Sequence, residues 1–116
     1  MGSANDKLVD YWGTSGYYPY LNGLLLTDGS LALAEKFQCF WFLDVIASYQ
    51  DEIQLDPTEG PQVWKLKKNP DGSADVICTD GNYKELVRQA FESTDFSEDE
   101  ATVFVSKRVA YLPSEH

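Results

Sequence analysis

Hydrophobic and polar positions alternate along this chain in two different rhythms. Between Leu24 and Tyr49 apolar residues recur at helical spacing, and from Val63 onward they alternate with polar ones. The first rhythm predicts one long core helix. Thr27 stands where an N-cap belongs, since a threonine hydroxyl can accept from a backbone N–H one turn in. Leu26 and Leu31 have the spacing of a hydrophobic staple, and Asp28 falls in the first turn, where the helix dipole favours a carboxylate. Gly29 is a poor helix former, tolerable near an end or where something approaches the backbone. At roughly 100° per residue, Leu33, Phe37, Phe40, Trp41, Ala47 and Ser48 share one face. Asp44 falls in the middle of that face and is therefore a candidate buried acid. It is either an acid or base in an aromatic-lined pocket or a structural acceptor for a loop or a tryptophan N–H. The back of the helix changes from polar (Glu35, Gln38) to apolar (Phe42, Ile46, Tyr49), which predicts cover on a second side.

The second rhythm predicts strands. Gln62 to Lys68 places Trp64 and Leu66 inward and Lys65 and Lys67 outward; Asn69-Pro70-Asp71-Gly72 is a turn, and Ala74 to Thr79 is the returning strand. The lysines fit the role of edge-strand charges that discourage aggregation. Asp80-Gly81-Asn82 is a further turn. From Tyr83 to Phe91 the spacing is helical but the context is a hairpin, and the context decides for a strand. An acidic loop, Ser93 to Glu100, precedes a closing hairpin through Thr102–Val105 and Val109–Leu112, with Pro113 ending it. Upstream, residues 1–10 read as a flexible N-terminus, and Tyr11 to Tyr20 as an aromatic-rich segment broken by Gly13, Gly16 and Pro19. The expected architecture is a single α+β domain over residues 11–116. One long central helix packs on a three- to five-stranded antiparallel meander.

Composition narrows the function classes. With 116 residues, 43% of them hydrophobic, the chain supports one core. No apolar run is long enough to span a bilayer, so a soluble, cytoplasmic protein without membrane contact is expected. Cys39 and Cys78 fall in helix and strand interiors as free, hydrophobe-like thiols, and one histidine leaves too few ligands for a structural zinc site. No cofactor is implied. Nine basic residues against nineteen acidic ones give a formal −10, which disfavours direct contact with phosphates. It favours docking to a basic protein surface.

Several short motifs occur in order: Gly13-Thr14, Thr27-Asp28-Gly29, Leu33-Ala34-Glu35, Trp41-Phe42-Leu43-Asp44-Val45-Ile46-Ala47-Ser48, Trp64-Lys65-Leu66, Asp80-Gly81-Asn82, Thr94-Asp95-Phe96 and Leu112-Pro113-Ser114-Glu115. Together the pattern resembles an uncharacterised family of small bacterial proteins found with phages and plasmids. The resemblance implies no known activity and transfers no catalytic residue. It does imply a mobile-element protein acting on host machinery.

Candidate chemistry is sparse. Nucleophilic triads lack a base, and no phosphate-binding glycine loop follows a strand. A carboxylate-based hydrolase or metal site would require Asp28, Asp44, Asp80 and Asp95 to converge in twos or threes. The leading expectation is a non-enzymatic acidic binding module, in its sharpest form a nucleic-acid-mimicking inhibitor of a host nucleic-acid-handling protein, such as an anti-CRISPR or other anti-defence protein. Its contacts would be the aromatic anchors Trp12, Tyr17, Tyr18 and Tyr20 and the acids Asp51, Glu52, Asp56, Glu59, Asp95, Glu98, Asp99 and Glu100. The alternatives are a small-molecule binder or hydrolase built on Asp44, and a homodimer formed through Phe42, Ile46 and Tyr49.

Overall fold

The computed structural model describes residues 3–8, 10–11, 13–53 and 60–115. Its centre is a seven-stranded mixed sheet with two short helices on one face, which corrects the expected architecture of one long helix on a three- to five-stranded meander. The strands are β1 (Tyr17–Pro19), β2 (Leu25–Thr27), β3 (Gln62–Lys68), β4 (Ala74–Thr79), β5 (Glu85–Phe91), β6 (Glu100–Ser106) and β7 (Val109–Tyr111). Their order is β1-β2-β7-β6-β3-β4-β5; β2 and β7 run parallel and every other pair antiparallel.

The long apolar stretch divides into three elements. Leu25 to Thr27 joins the sheet as β2, α1 spans Asp28–Phe37, and α2 spans Phe40–Ser48. Between the helices Gln38 adopts the left-handed conformation, φ 52°, and ends α1. The reason lies in the phase of the burial. α1 buries Gly29, Ser30, Leu33 and Ala34. Continued without a break, that face would carry Asp44 and Ser48 into the core. The break re-phases α2, so Phe42, Leu43, Ile46 and Ala47 turn inward and Asp44 and Ser48 face solvent. One left-handed residue costs about 1–2 kcal/mol; an unpaired buried carboxylate costs several times more.

The strands differ from the expected meander in order rather than in position. β3, β4 and β5 form consecutive hairpins, and Glu85–Phe91 is a strand, as the hairpin context indicated. β6 then returns to the far side of β3 instead of joining β5, which is the Greek-key arrangement. The acidic 92–99 connection crosses the end of the β3–β4 hairpin, with Thr94 N–H donating to Gly72 O (2.9 Å) and Lys68 N–H to Asp99 O (2.9 Å). Because β3 lies inside the sheet, Lys65 and Lys67 are not the edge guards their sequence position implied.

Residues 4–8, expected to be flexible, form a 3-10 turn with Ala4 and Leu8 buried. The Asn5 side chain donates to Thr102 O (2.9 Å) and accepts from Thr102 N–H (2.7 Å), replacing the neighbour that short β7 does not supply. The core lies between the helices and the inner sheet face. Trp64 is its largest buried side chain; its indole N–H donates to Gln62 Oε1 (2.8 Å), which also accepts from Gln50 Nε2 (2.9 Å). A Gln pair thus supplies the tryptophan acceptor. Among the described residues no helix is long and apolar enough to cross a membrane.

Candidate functional site

The aromatic segment contributes one exposed edge strand and two tethers. Tyr17 is 59% exposed on β1. Tyr18 OH donates to Asp28 Oδ1 (2.8 Å), and that carboxylate raises the phenol above its ordinary value. Tyr20 stacks on Phe40 at 6.2 Å and donates to Asp44, so partial burial and the carboxylate together raise its phenol. Asp44 is exposed, not at the centre of a buried face. It belongs to a surface tether between the aromatic segment and α2.

The candidate acids separate into two groups. Asp51 pairs with Arg108 (2.6 Å) and lies with exposed Glu52 at the β6–β7 turn. Asp95, Glu98, Asp99 and Glu100 lie at the start of β6, where Glu98 pairs with Lys7 (3.0 Å). The seven residues of β6 separate the two groups, a distance of about 20 Å. Trp12, Asp56 and Glu59 lie outside the described residues. Nor do the four aspartates considered for catalysis converge. Asp28 accepts from Ser15 N–H (2.9 Å), Asp44 from Tyr20, and Asp80 from the N–H groups of Asn82 (2.8 Å) and Lys84 (2.9 Å). Among the described residues no group of three or more His, Cys, Asp or Glu could hold a metal ion.

The break after α1 opens the strongest candidate site. A recess of about 500 Å³ is lined by Trp41, Phe91, Ser93, Thr94 and Asp95. A smaller one of about 220 Å³ is lined by Lys36, Phe37, Gln38, Asp95 and Ser97. Asp95 lines both, and its carboxylate is exposed with no partner among the described residues. Trp41 meets Phe91 edge-on at 5.1 Å, and Phe37 meets Phe96 at 6.3 Å. The hairpin tie at Gly72 and the Thr94 hydroxyl, which accepts from Phe96 N–H (3.1 Å), fix the loop that carries Asp95. Aromatic rings beside a free carboxylate can hold a cationic side chain, by ring-face attraction and by charge-assisted hydrogen bonding. Among the described residues the two recesses hold no hydrogen-bonded pair of nucleophile and base. Sequence reasoning placed Asp95 on a candidate surface but left Trp41, Phe37 and Phe91 as core. The missed signal was the polar Gln38 between two apolar helical runs.

A family pattern spans residues 2–116 of this chain. The chain belongs to DUF6876, a family of unknown function. No curated protein and no solved structure matches it. Several of the motifs that carry the resemblance to such a family meet in one structural knot. Glu115 accepts from Gly29 N–H (3.1 Å), Thr27 Oγ1 (2.7 Å) and Leu112 N–H (2.8 Å), so the end of the chain caps the start of α1. Thr27 and Ser30 complete a capping box, and Thr14 Oγ1 accepts from Asp28 N–H (2.9 Å). Three of these motifs, distant in sequence at 13–14, 27–29 and 112–115, are thus parts of one cap. Asp80-Gly81-Asn82 and Thr94-Asp95-Phe96 are side-chain-locked turns.

Proposed function

We propose that the protein is a non-enzymatic binding module that takes a lysine- or arginine-bearing segment of a basic partner protein into the recess between Trp41, Phe91 and Asp95. The observation that carries this reading is the Asp95 carboxylate, without a partner among the described residues, beside the half-buried rings of Trp41 and Phe91. The formal −10 of the chain steers a basic partner toward it. A protein that handles nucleic acid has such a basic surface, and occupying it is the inhibitory role a mobile-element protein would have. Separation of the acids into two ends favours docking of a discrete basic segment over imitation of a continuous row of phosphates.

A fluorescein-labelled peptide rich in arginine and lysine tests the site by anisotropy titration. Binding is expected to weaken steeply from low to physiological salt. Asp95→Asn is expected to weaken it about tenfold, or ~1.4 kcal/mol, at unchanged melting temperature; Trp41→Ala weakens it as well. Affinity that ignores both salt and Asp95→Asn would rule the reading out.

A further inference from the structure

The two edges of the sheet are built differently. β1 is three residues long and carries Pro19, whose nitrogen has no proton to offer a further strand. β5 is seven residues long, with neither proline nor lysine between Glu85 and Phe91. Short strands, prolines and lysines are the usual means by which an edge refuses another strand. The charge of Arg88 is matched on its own chain, by Glu85 (2.9 Å) and Asp75 (3.9 Å). Among the described strands β5 pairs with β4 alone.

The ladder decides which backbone groups of β5 point outward. Lys68 N–H donates to Asp99 O (2.9 Å), on the β6 side of β3. By the alternation of an antiparallel ladder, Lys67 and Lys65 then bond toward β4. Their partners Asp75 and Ile77 face β3, which leaves Ala74, Val76 and Cys78 facing β5. Across from those three stand Phe91, Gln89 and Val87. The N–H and C=O groups of exposed Arg88 and Ala90 therefore point out of the sheet, and among the described residues nothing bonds to them. The one break in register, at Cys78/Thr79, lies toward the Glu85 end of the strand.

The Phe91 end of this edge borders the recess. Phe91 and Trp41 line it together, and Asp95 follows on the same chain. Resting on the reading that a basic segment occupies the recess, we propose that the segment binds as an added strand. An extended stretch of the partner protein pairs with β5 through the backbone of Arg88 and Ala90. Residues directly across a ladder share a face. The side chain opposite Phe91 thus lies on the helix side, beside Trp41, where a lysine or arginine meets the Asp95 carboxylate and the rings together. The side chain opposite Arg88 falls on the other face beside a cation, where a second basic residue is disfavoured. The segment selected is one with basic residues at alternate positions rather than in a block. Backbone pairing supplies the affinity, and alternate side chains the specificity.

A short peptide alternating arginine and threonine, titrated into isotope-labelled protein with amide hydrogen exchange followed by NMR, tests the pairing apart from the recess. In free protein the amides of Arg88 and Ala90 are expected to exchange fast and those of Val87, Gln89 and Phe91 slowly. Bound peptide is expected to slow Arg88 and Ala90 at least about tenfold. Ala90→Pro removes an outward N–H and no bond to β4, so it weakens binding about tenfold at a melting temperature close to wild type. If that variant melts early, the exchange measurement decides alone. A peptide of the same composition with its arginines in one block binds more weakly. Binding that depends on salt and Asp95 while Arg88 and Ala90 stay fast overturns strand addition and leaves the recess reading standing. Absence of any binding dependent on salt and Asp95 overturns both. Protection of Arg88 and Ala90 that grows with protein concentration alone, without peptide, gives the edge to a second copy and overturns the proposal as well.

Discussion

Glu115 and Gly29 show how one side chain can decide the sign of a substitution. In most helices Gly→Ala stabilises, by about 1 kcal/mol. Here a Cβ on Gly29 would stand 2.5 Å from Glu115 Oε1 and 2.9 Å from Leu112 Cδ1. The carboxylate cannot retreat without releasing the hydrogen bonds from Gly29, Thr27 and Leu112. Gly29→Ala is therefore expected to destabilise by about 1–2 kcal/mol net, measured by urea denaturation; an increase in stability would show that the cap holds nothing. The sequence marked Gly29 as a place where something approaches the backbone, but a partner 86 residues away has no local trace. Asp44 failed in the opposite direction. A carboxylate on a supposed core face was the sign that the helix does not run through.

The helix break and the Asp28 tie operate at the scale of elements. Thr27 and the first turn of α1 were readable because capping depends on residues within four positions. The phase of α2 was not, because helical periodicity extrapolated across Gln38 accumulates nothing real. Asp28 joins the aromatic segment to α1: it accepts from Ser15 N–H (2.9 Å), Ser15 Oγ (2.8 Å) and Tyr18 OH (2.8 Å). The Ser15 backbone bond first, then the Tyr18 hydroxyl, hold its carboxyl below the ordinary 3.8. A depressed folded pKa contributes stability above the unfolded value and loses it as pH falls through the folded one. Wild type is therefore expected to melt above Asp28→Asn at neutral pH, and the gap to close as pH falls below the ordinary carboxylate range. A gap unchanged across that range would mean that the carboxylate's charge is irrelevant to the tie.

For the molecule as a whole, closure of the core is reported by the thiols. Cys39 and Cys78 are fully buried, and burial pushes each thiol up to about 12. A neutral thiol out of solvent reacts poorly, so modification by a disulfide reagent is expected only as the protein opens. Its rise with denaturant should coincide with loss of circular dichroism; prompt reaction of both thiols in native protein would show that the core is open. Free, hydrophobe-like cysteines were readable from composition and pattern. The two separate acidic ends were not, because each is assembled from segments that are distant in sequence.

Residues within a few positions of each other set what the sequence alone determined: the strands from Gln62 to Tyr111, their inward and outward faces, the Thr27 cap and the lone thiols. Alternation and capping are short-range, so they survive without the fold. The tertiary structure decided where α1 ends, that β6 lies beside β3, and that β2 and β7 run parallel. It also brought Asp95 beside Trp41 and set Lys65 and Lys67 on an interior strand. Those outcomes minimise buried charge and unpaired backbone across the whole molecule, and no window of neighbouring residues contains that sum.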